Sequence, residues 1–261
     1  MPGSYEVVLL AGGAAAEAAR ILDVGAPNKA LLPIGDRPMF HYVVDAWRRA
    51  GCMQRLIVVG LPATVTPALE AGCEVLYLSD RGSAVANVLA ALETTRSCGM
   101  VAFSSADIPL LTPRANTHIW EACEASGASL CYPIVERSVM EAQFPGSGRT
   151  FRHTLDGAYC GGDIFGLAPE MARANLAFFQ ALSAGRKSAL ALARALGPGV
   201  VLRLLTRRLR LSGLEQRFSA ILGAPCKAIV SPYAEVAMDV DKPHHLEVVS
   251  QALAAGERRA G

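Results

Sequence analysis

Four short apolar runs constrain the first half of the chain more than any other feature: Glu6-Val7-Val8-Leu9-Leu10-Ala11, Leu56-Ile57-Val58-Val59-Gly60, Glu74-Val75-Leu76-Tyr77-Leu78 and Met100-Val101-Ala102-Phe103-Ser104. Each has the length of a strand rather than a helix, and continuous apolar character means burial on both faces. Stretches of helical period separate them. Pro38 opens one that runs to Ala50, with Met39, Tyr42, Val43, Ala46 and Trp47 on one face and Gly51 as its stop. Further helices are expected near residues 83–96 and 114–125. This alternation predicts an α/β fold of three layers around a mainly parallel sheet.

The pattern loosens after Gly127. Strands are expected at residues 128–135, 149–155 and 158–167. Residues 169–222, rich in Ala, Leu and Arg and interrupted by Gly197-Pro198-Gly199, are expected to be mostly helical. They are read as an insertion within a single domain spanning residues 1–261. A strand near residues 226–230 and a last helix follow, with Asp241 as N-cap and Pro243 in its first turn.

Composition excludes several classes. With 52% apolar residues over 261 positions the chain can bury a sizeable core, so disorder is not expected. No window approaches the roughly 18 consecutive apolar residues of a membrane span, and Met1-Pro2-Gly3-Ser4-Tyr5-Glu6 lacks a basic, secretory start. A cytoplasmic protein without membrane attachment is expected. The seven cysteines contain no C-x-x-C pair, which fits reduced core thiols better than disulfides or zinc. A net charge of +2 gives no argument for nucleic acid. The assembly is left open, a homo-oligomer included.

Three distant segments carry chemistry, because a parallel sheet brings the carboxyl ends of its strands to one rim, where ligands bind. The first is Leu10-Ala11-Gly12-Gly13 followed by Asn28-Lys29-Ala30-Leu31-Leu32-Pro33-Ile34-Gly35-Asp36-Arg37-Pro38-Met39. Glycines let the backbone approach phosphates, and a lysine neutralises phosphate oxygens. The second is Ser105-Ala106-Asp107-Ile108-Pro109, a carboxylate just past an apolar strand and of the hard type that magnesium prefers. The third, Asp239-Val240-Asp241-Lys242-Pro243, points two carboxylates to one side if it is extended. Taken singly, each also reads as an ordinary turn, cap or solvated carboxylate.

In this order and spacing the three segments resemble the MobA-like NTP transferases, a family that includes molybdenum cofactor guanylyl- and cytidylyltransferases and sugar-phosphate nucleotidyltransferases. The resemblance spans residues 5–135 and 225–250. It implies a GT-A-like, Rossmann-like fold, an NTP, a small acceptor that is expected to be phosphorylated, Mg2+ and release of pyrophosphate. On that basis Leu10, Ala11, Gly12 and Gly13 would line the triphosphate and Lys29 would bind it. Asp107 would be the principal metal ligand, with Asp239 and Asp241 beside it, and Ser83 and Asn87 would contact base and ribose.

The first loop departs from the family pattern, since Gly13 is followed by Ala14-Ala15-Ala16-Glu17-Ala18-Ala19-Arg20 instead of Gly-x-x-Arg. Arg20 is the candidate for the missing cation, contributing mainly to NTP affinity. Arg149, Arg152 and His153, near Gly161 and Gly162, form a cationic cluster suited to an anionic acceptor, although surface ion pairing is the alternative. A dinucleotide oxidoreductase is disfavoured by the lack of G-x-G-x-x-G. A glycosyltransferase of the same fold and a non-catalytic nucleotide-binding paralogue remain as rivals.

Overall fold

The computed structural model describes residues 3–12, 18, 21, 26–65, 72–185 and 196–260. Its centre is a nine-stranded sheet. Strand β1 (Tyr5–Leu10) runs parallel to β4 (Met53–Val59) on one side and to β6 (Val101–Ser105) on the other, and β5 (Glu74–Leu78) continues the parallel half beyond β4. Between β1 and β4 in sequence, β2 (Pro33–Ile34) and β3 (Arg37–Pro38) form a separate small hairpin. Past β6, strand β10 (Ile164–Leu167) lies antiparallel between β6 and β7 (Leu130–Glu136). Strand β9 (Ala158–Gly161) follows along β7, with β8 (Arg152–His153) outside it, and β11 (Cys226–Ser231) pairs parallel to β7. The fold is the α/β, mainly parallel arrangement that the apolar runs predict.

Burial explains why β1 lacks alternation. Tyr5, Val7 and Leu9 enter the core under helices α1 (Met39–Ala50) and α3 (Pro113–Ser126), where Trp47 and Trp120 pack at 5.5 Å between ring centroids. Val8 points to the other face, onto Ala91 and Leu92 of α2 (Ala84–Thr94). Local signals set the helix ends. Thr112 accepts a bond from the Ala115 N–H and Pro113 occupies the first turn of α3, while Gly51 and Gly127 close α1 and α3 at positive φ. Pro38 is extended, so α1 begins one residue after the expected start.

The helical segment at residues 169–222 contains α5 (Pro169–Ala174), α6 (Leu176–Gly185), α7 (Pro198–Leu205) and α8 (Leu211–Leu222). Met171, Ala172, Phe178, Phe179 and Phe218 from it pack beneath Val8, Ile57 and Phe103, so these side chains form part of the layer covering that face. Three expectations differ in detail. The strand expected at residues 158–167 is two strands, because the Gly162 N–H still bonds to Pro133 of β7 but the Asp163 N–H turns away to the Val236 carbonyl. Only Arg152–His153 of residues 149–155 pairs as strand, and helix α4 (Arg137–Gln143) falls where the sequence pattern predicts no element. The last helix, α9, is Pro243–Ala260; Asp241 stands two residues before it, and its carboxylate turns to Lys29 rather than capping.

Candidate active site

The carboxyl ends of β1, β4 and β6 converge as the parallel topology requires. The Ala11 N–H bonds to the Val59 carbonyl at 2.9 Å and the Ala106 N–H to the Leu10 carbonyl at 3.0 Å, which holds the first loop against the segment leading to Asp107. Asn28 pins that loop from the far side. Its Nδ2 donates to the Ala11 carbonyl at 2.7 Å while its Oδ1 accepts from the Ala30 N–H at 2.8 Å, capping the 3-10 turn Lys29–Leu31. This fixes the backbone from which Lys29 reaches the rim.

Gly12 has no room for a side chain: a Cβ there would lie 2.6 Å from Asn87 Nδ2 and 3.2 Å from Asp80 Oδ1. Asn87 is buried, donating to Asp80 at 2.9 Å and accepting from the Arg81 N–H at 2.7 Å. The expected nucleotide-contacting residues Leu10, Ala11, Gly12 and Asn87 therefore gather at one end of the sheet, and Asp80 joins them unforeseen. The Ser83 hydroxyl caps α2 by accepting from the Ala86 N–H at 3.2 Å. Gly13 and Arg20 lie outside the described residues.

Among the described residues, four carboxylates and two cations meet at the centre. Lys29 Nζ is 2.5 Å from Asp107 Oδ2 and also bonds to Asp241. Arg149 bonds to Asp239 and lies 3.2 Å from Asp163, with a further bond of 3.1 Å to the Gly161 carbonyl. The segments are tied together through the backbone, since the Val240 N–H donates to the Asp107 carbonyl at 2.9 Å and the Ser105 N–H to the Asp163 carbonyl at 2.8 Å. Ser105 Oγ orients Asp107 by donating to Oδ1 at 2.5 Å.

The electrostatics follow from crowding. Burial pushes Asp239 up to about 6 despite Arg149, and the neighbouring Asp107 and Asp241 add to that shift. Asp163 is also raised, by burial and by Asp239, against the pull of Arg149. Asp241 moves the other way: burial raises it, but the Lys29 ammonium, together with a hydrogen bond to Asp239 and the nearby His245, more than offsets this. Burial opposes the charge on Lys29, yet Asp107 and Asp241 hold it above the usual lysine range. Carboxylate oxygens are the ligands that Mg2+ favours. With Lys29 and Arg149 seated among them, no group of three or more His, Cys, Asp or Glu side chains among the described residues is placed to hold a metal ion.

Asp163 is the site residue that sequence reasoning missed. The glycine pair before it, which breaks a strand-like run, was the available signal. Of the cationic cluster expected to face the acceptor, Arg149 and Gly161 belong to this centre, and the Gly162 N–H bonds to the Pro133 carbonyl at 2.8 Å. Arg152 and His153 instead form β8, paired with Tyr159 and Ala158 at the outer edge of the sheet. Among the described residues no helix is long and apolar enough to cross a membrane.

Comparison with known proteins bears on this geometry. The model of the MobA-like NTP transferase domain matches residues 7–216. It thus takes in most of the helical segment, ending at Gln216, and stops before Asp239 and Asp241. A hypothetical transferase from Thermus thermophilus superposes with a TM-score of 0.81 at 37% identity, over 93% of this chain and 99% of its own. Two others share the fold at lower identity. CMP:2-keto-3-deoxy-manno-octonic acid synthetase, solved with CTP, gives a TM-score of 0.62 at 15% identity, covering 97% of this chain and 100% of its own. The 2-C-methyl-D-erythritol 4-phosphate cytidylyltransferase of Thermus thermophilus gives 0.55 at 18%, covering 97% and 99%. No curated protein matches the chain.

Proposed function

Because the chain belongs to the MobA-like NTP transferase family, we propose that it transfers a nucleoside monophosphate from an NTP to a small acceptor, in a reaction supported by Mg2+ and releasing pyrophosphate. The supporting observation is the convergence of Lys29 on Asp107 and Asp241, residues from three distant segments of the chain. We read residues 1–261 as one nucleotidyltransferase domain with residues 169–222 as its helical insertion, acting in the cytoplasm.

An acceptor oxygen attacks the α-phosphorus and forms the new P–O bond as the bond to pyrophosphate breaks; a hydroxyl acceptor also loses its proton. The protein has mainly to align these groups and offset accumulating negative charge. Gly12 gives the triphosphate close backbone approach. Lys29, held by the Asn28 turn, turns its ammonium from Asp107 and Asp241 towards phosphate oxygens. Asp107 and Asp239, with Asp241 nearby, are the carboxylates that would hold Mg2+ once Lys29 and Arg149 give them up, and the ion would supply Lewis-acid stabilisation of the phosphate charge. Arg149, positioned by Asp163 and the Gly161 carbonyl, faces the acceptor side.

The test is pyrophosphate release across a panel of NTPs and phosphorylated acceptors, with and without Mg2+. Asp107→Asn should abolish turnover with the fold intact. Near wild-type rates in that variant would remove Asp107 from the site, and release only from nucleotide sugars would replace this reading by glycosyl transfer.

A further inference from the structure

The loop between α4 and β8 turns through Gly146 (φ 74°) and Gly148 (φ 66°) immediately before Arg149. Gly148 faces three nitrogen atoms. A Cβ there would stand 3.6 Å from His244 Nε2, 3.9 Å from Lys242 Nζ and 4.0 Å from His245 Nε2, so the missing side chain leaves a space that these groups surround. His245 is 3% exposed, and its Nδ1 accepts the Asp241 N–H at 3.1 Å, which places the ring proton on Nε2. The Ser147 carbonyl faces the ring and draws weakly on the Nε2 proton, but no acceptor meets Nε2 in full hydrogen-bonding geometry. A buried donor left in this condition is costly unless a ligand meets it. Lys242 and His244 are exposed at the mouth of the same space. Of the nearest site carboxylates, Asp239 is paired with Arg149, and Asp241, bonded to Lys29, also acts on the His245 ring.

We propose that Gly148, Lys242, His244 and His245 form an oxyanion subsite that receives a phosphate group carried by the acceptor. The chemistry is matched: a mobile ammonium, imidazole N–H donors and a glycine that permits close approach. Placement separates it from the Gly12 end of the triphosphate site, while Lys29 bonds to Asp241 beside it. Gly12 leans on Asp80 and Asn87 beyond β5, whereas Gly148 and Lys242 belong to segments following α4 and β11, on the other side of β6. The subsite adjoins the centre directly, because Gly148 precedes Arg149 and Lys242 follows Asp241. Its use by the acceptor rests on the transferase reading; its binding of an oxyanion does not.

Inorganic phosphate is the probe, titrated calorimetrically into the full chain with and without a saturating non-hydrolysable NTP analogue. Phosphate should bind in both conditions. Lys242→Met should weaken it by about tenfold, the loss of one charge-assisted contact. Gly148→Ala should abolish binding by filling the space. Gly146→Ala is the control for backbone strain, since it imposes a comparable positive-φ penalty but its Cβ would meet nothing within 4 Å; it should retain wild-type affinity. The proposal is overturned by absence of phosphate binding, by unchanged affinity in Lys242→Met and Gly148→Ala, or by equal losses in the two glycine variants. Displacement of phosphate by the analogue would assign the subsite to the triphosphate and overturn it too. If wild-type protein binds no NTP and releases no pyrophosphate, the transferase reading fails while the titration without analogue still decides whether the subsite exists.

Discussion

Replacing Lys29 by methionine removes one charge from between two carboxylates while keeping most of the side-chain volume. The Lys29 side chain is 11% exposed, Asp107 18% and Asp241 56%. Breaking a fully buried pair costs about 3–5 kcal/mol, whereas an exposed pair contributes roughly 0–1 kcal/mol. The Asp107 half of the contact lies nearer the first limit and the Asp241 half nearer the second. A destabilisation of about 2–3 kcal/mol in metal-free, low-salt buffer follows, and at roughly 2–4 °C per kcal/mol this lowers the melting temperature by about 5–10 °C. Mg2+ should then restore more stability to Lys29→Met than it adds to wild type, because the carboxylates freed by the variant gain a countercharge. Turnover should fall by about 10²–10³, the scale for losing one preorganised donor to transition-state charge. Thermal unfolding with and without Mg2+, alongside pyrophosphate release, reads all three. An unchanged melting temperature and an unchanged Mg2+ response would show that the ammonium does not stabilise the carboxylate pair; unchanged turnover would remove Lys29 from the chemistry.

Asn28→Asp keeps the acceptor for the Ala30 N–H but sets a carboxylate against the Ala11 carbonyl; denaturant midpoints should report a loss of about 2–3 kcal/mol. Gly12→Ala should raise KM for NTP more than it changes kcat, since its methyl displaces Asn87 and Asp80; an unaltered KM would separate that pair from nucleotide binding. Glu6 supplies the pH-dependent case. Burial raises its pKa, but bonds from Thr95, Arg55 and the Ser97 and Arg96 N–H groups outweigh burial and hold it below 4.5. Its contribution is therefore fully present above pH 4.5 and lost as pH falls through the lower, folded-state value. Glu6→Gln should be less stable at neutral pH and lose less stability on acidification than wild type, as measured by urea unfolding in a pH series carried from neutrality to below 4.5; parallel losses in both proteins would refute the assignment.

The architecture of the parallel half was legible because β1, β4, β5 and β6 are apolar throughout, and only burial on both faces makes such strands stable. From that, the rim position of Lys29 and Asp107 follows without knowledge of any contact. Asp239 and Asp241 were legible as a pair, but not their division of labour, because a carboxylate two residues before Pro243 looks like a cap until Lys29 is found beside it. Arg149 illustrates a different limit. Its charge and its glycine neighbours suggested an anion contact, whereas its bonds go to Asp239 and Asp163, a pairing made across strands whose order no local pattern encodes. Asp163 stayed hidden for the same reason, its signal being the break at Gly161-Gly162 and not its own residue type. Likewise, the abundance of Ala and Leu in residues 169–222 indicates helices without saying which side chains meet the sheet.

The paired charges also constrain how ligands enter. Four carboxylates against two cations leave two formal negative charges among the described residues of the centre, and the raised pKa values of Asp163 and Asp239 reflect that excess together with burial. A triphosphate arriving alone would add like charge and draw Lys29 away from Asp107 and Asp241, leaving those carboxylates uncompensated. A divalent cation arriving alone would meet Lys29 and Arg149 already in place. Each ligand is hindered by the group that the other would relieve: the cation frees the ammonium by taking over its carboxylates, and the phosphates give the freed ammonium a new partner. On the proposed reaction, metal and nucleotide therefore bind with positive coupling, and by linkage the coupling is the same in either order. Lys29 is the residue through which that coupling would act, because it is bonded to carboxylates of both the β6 and the post-β11 segments while its backbone belongs to the 3-10 turn capped by Asn28.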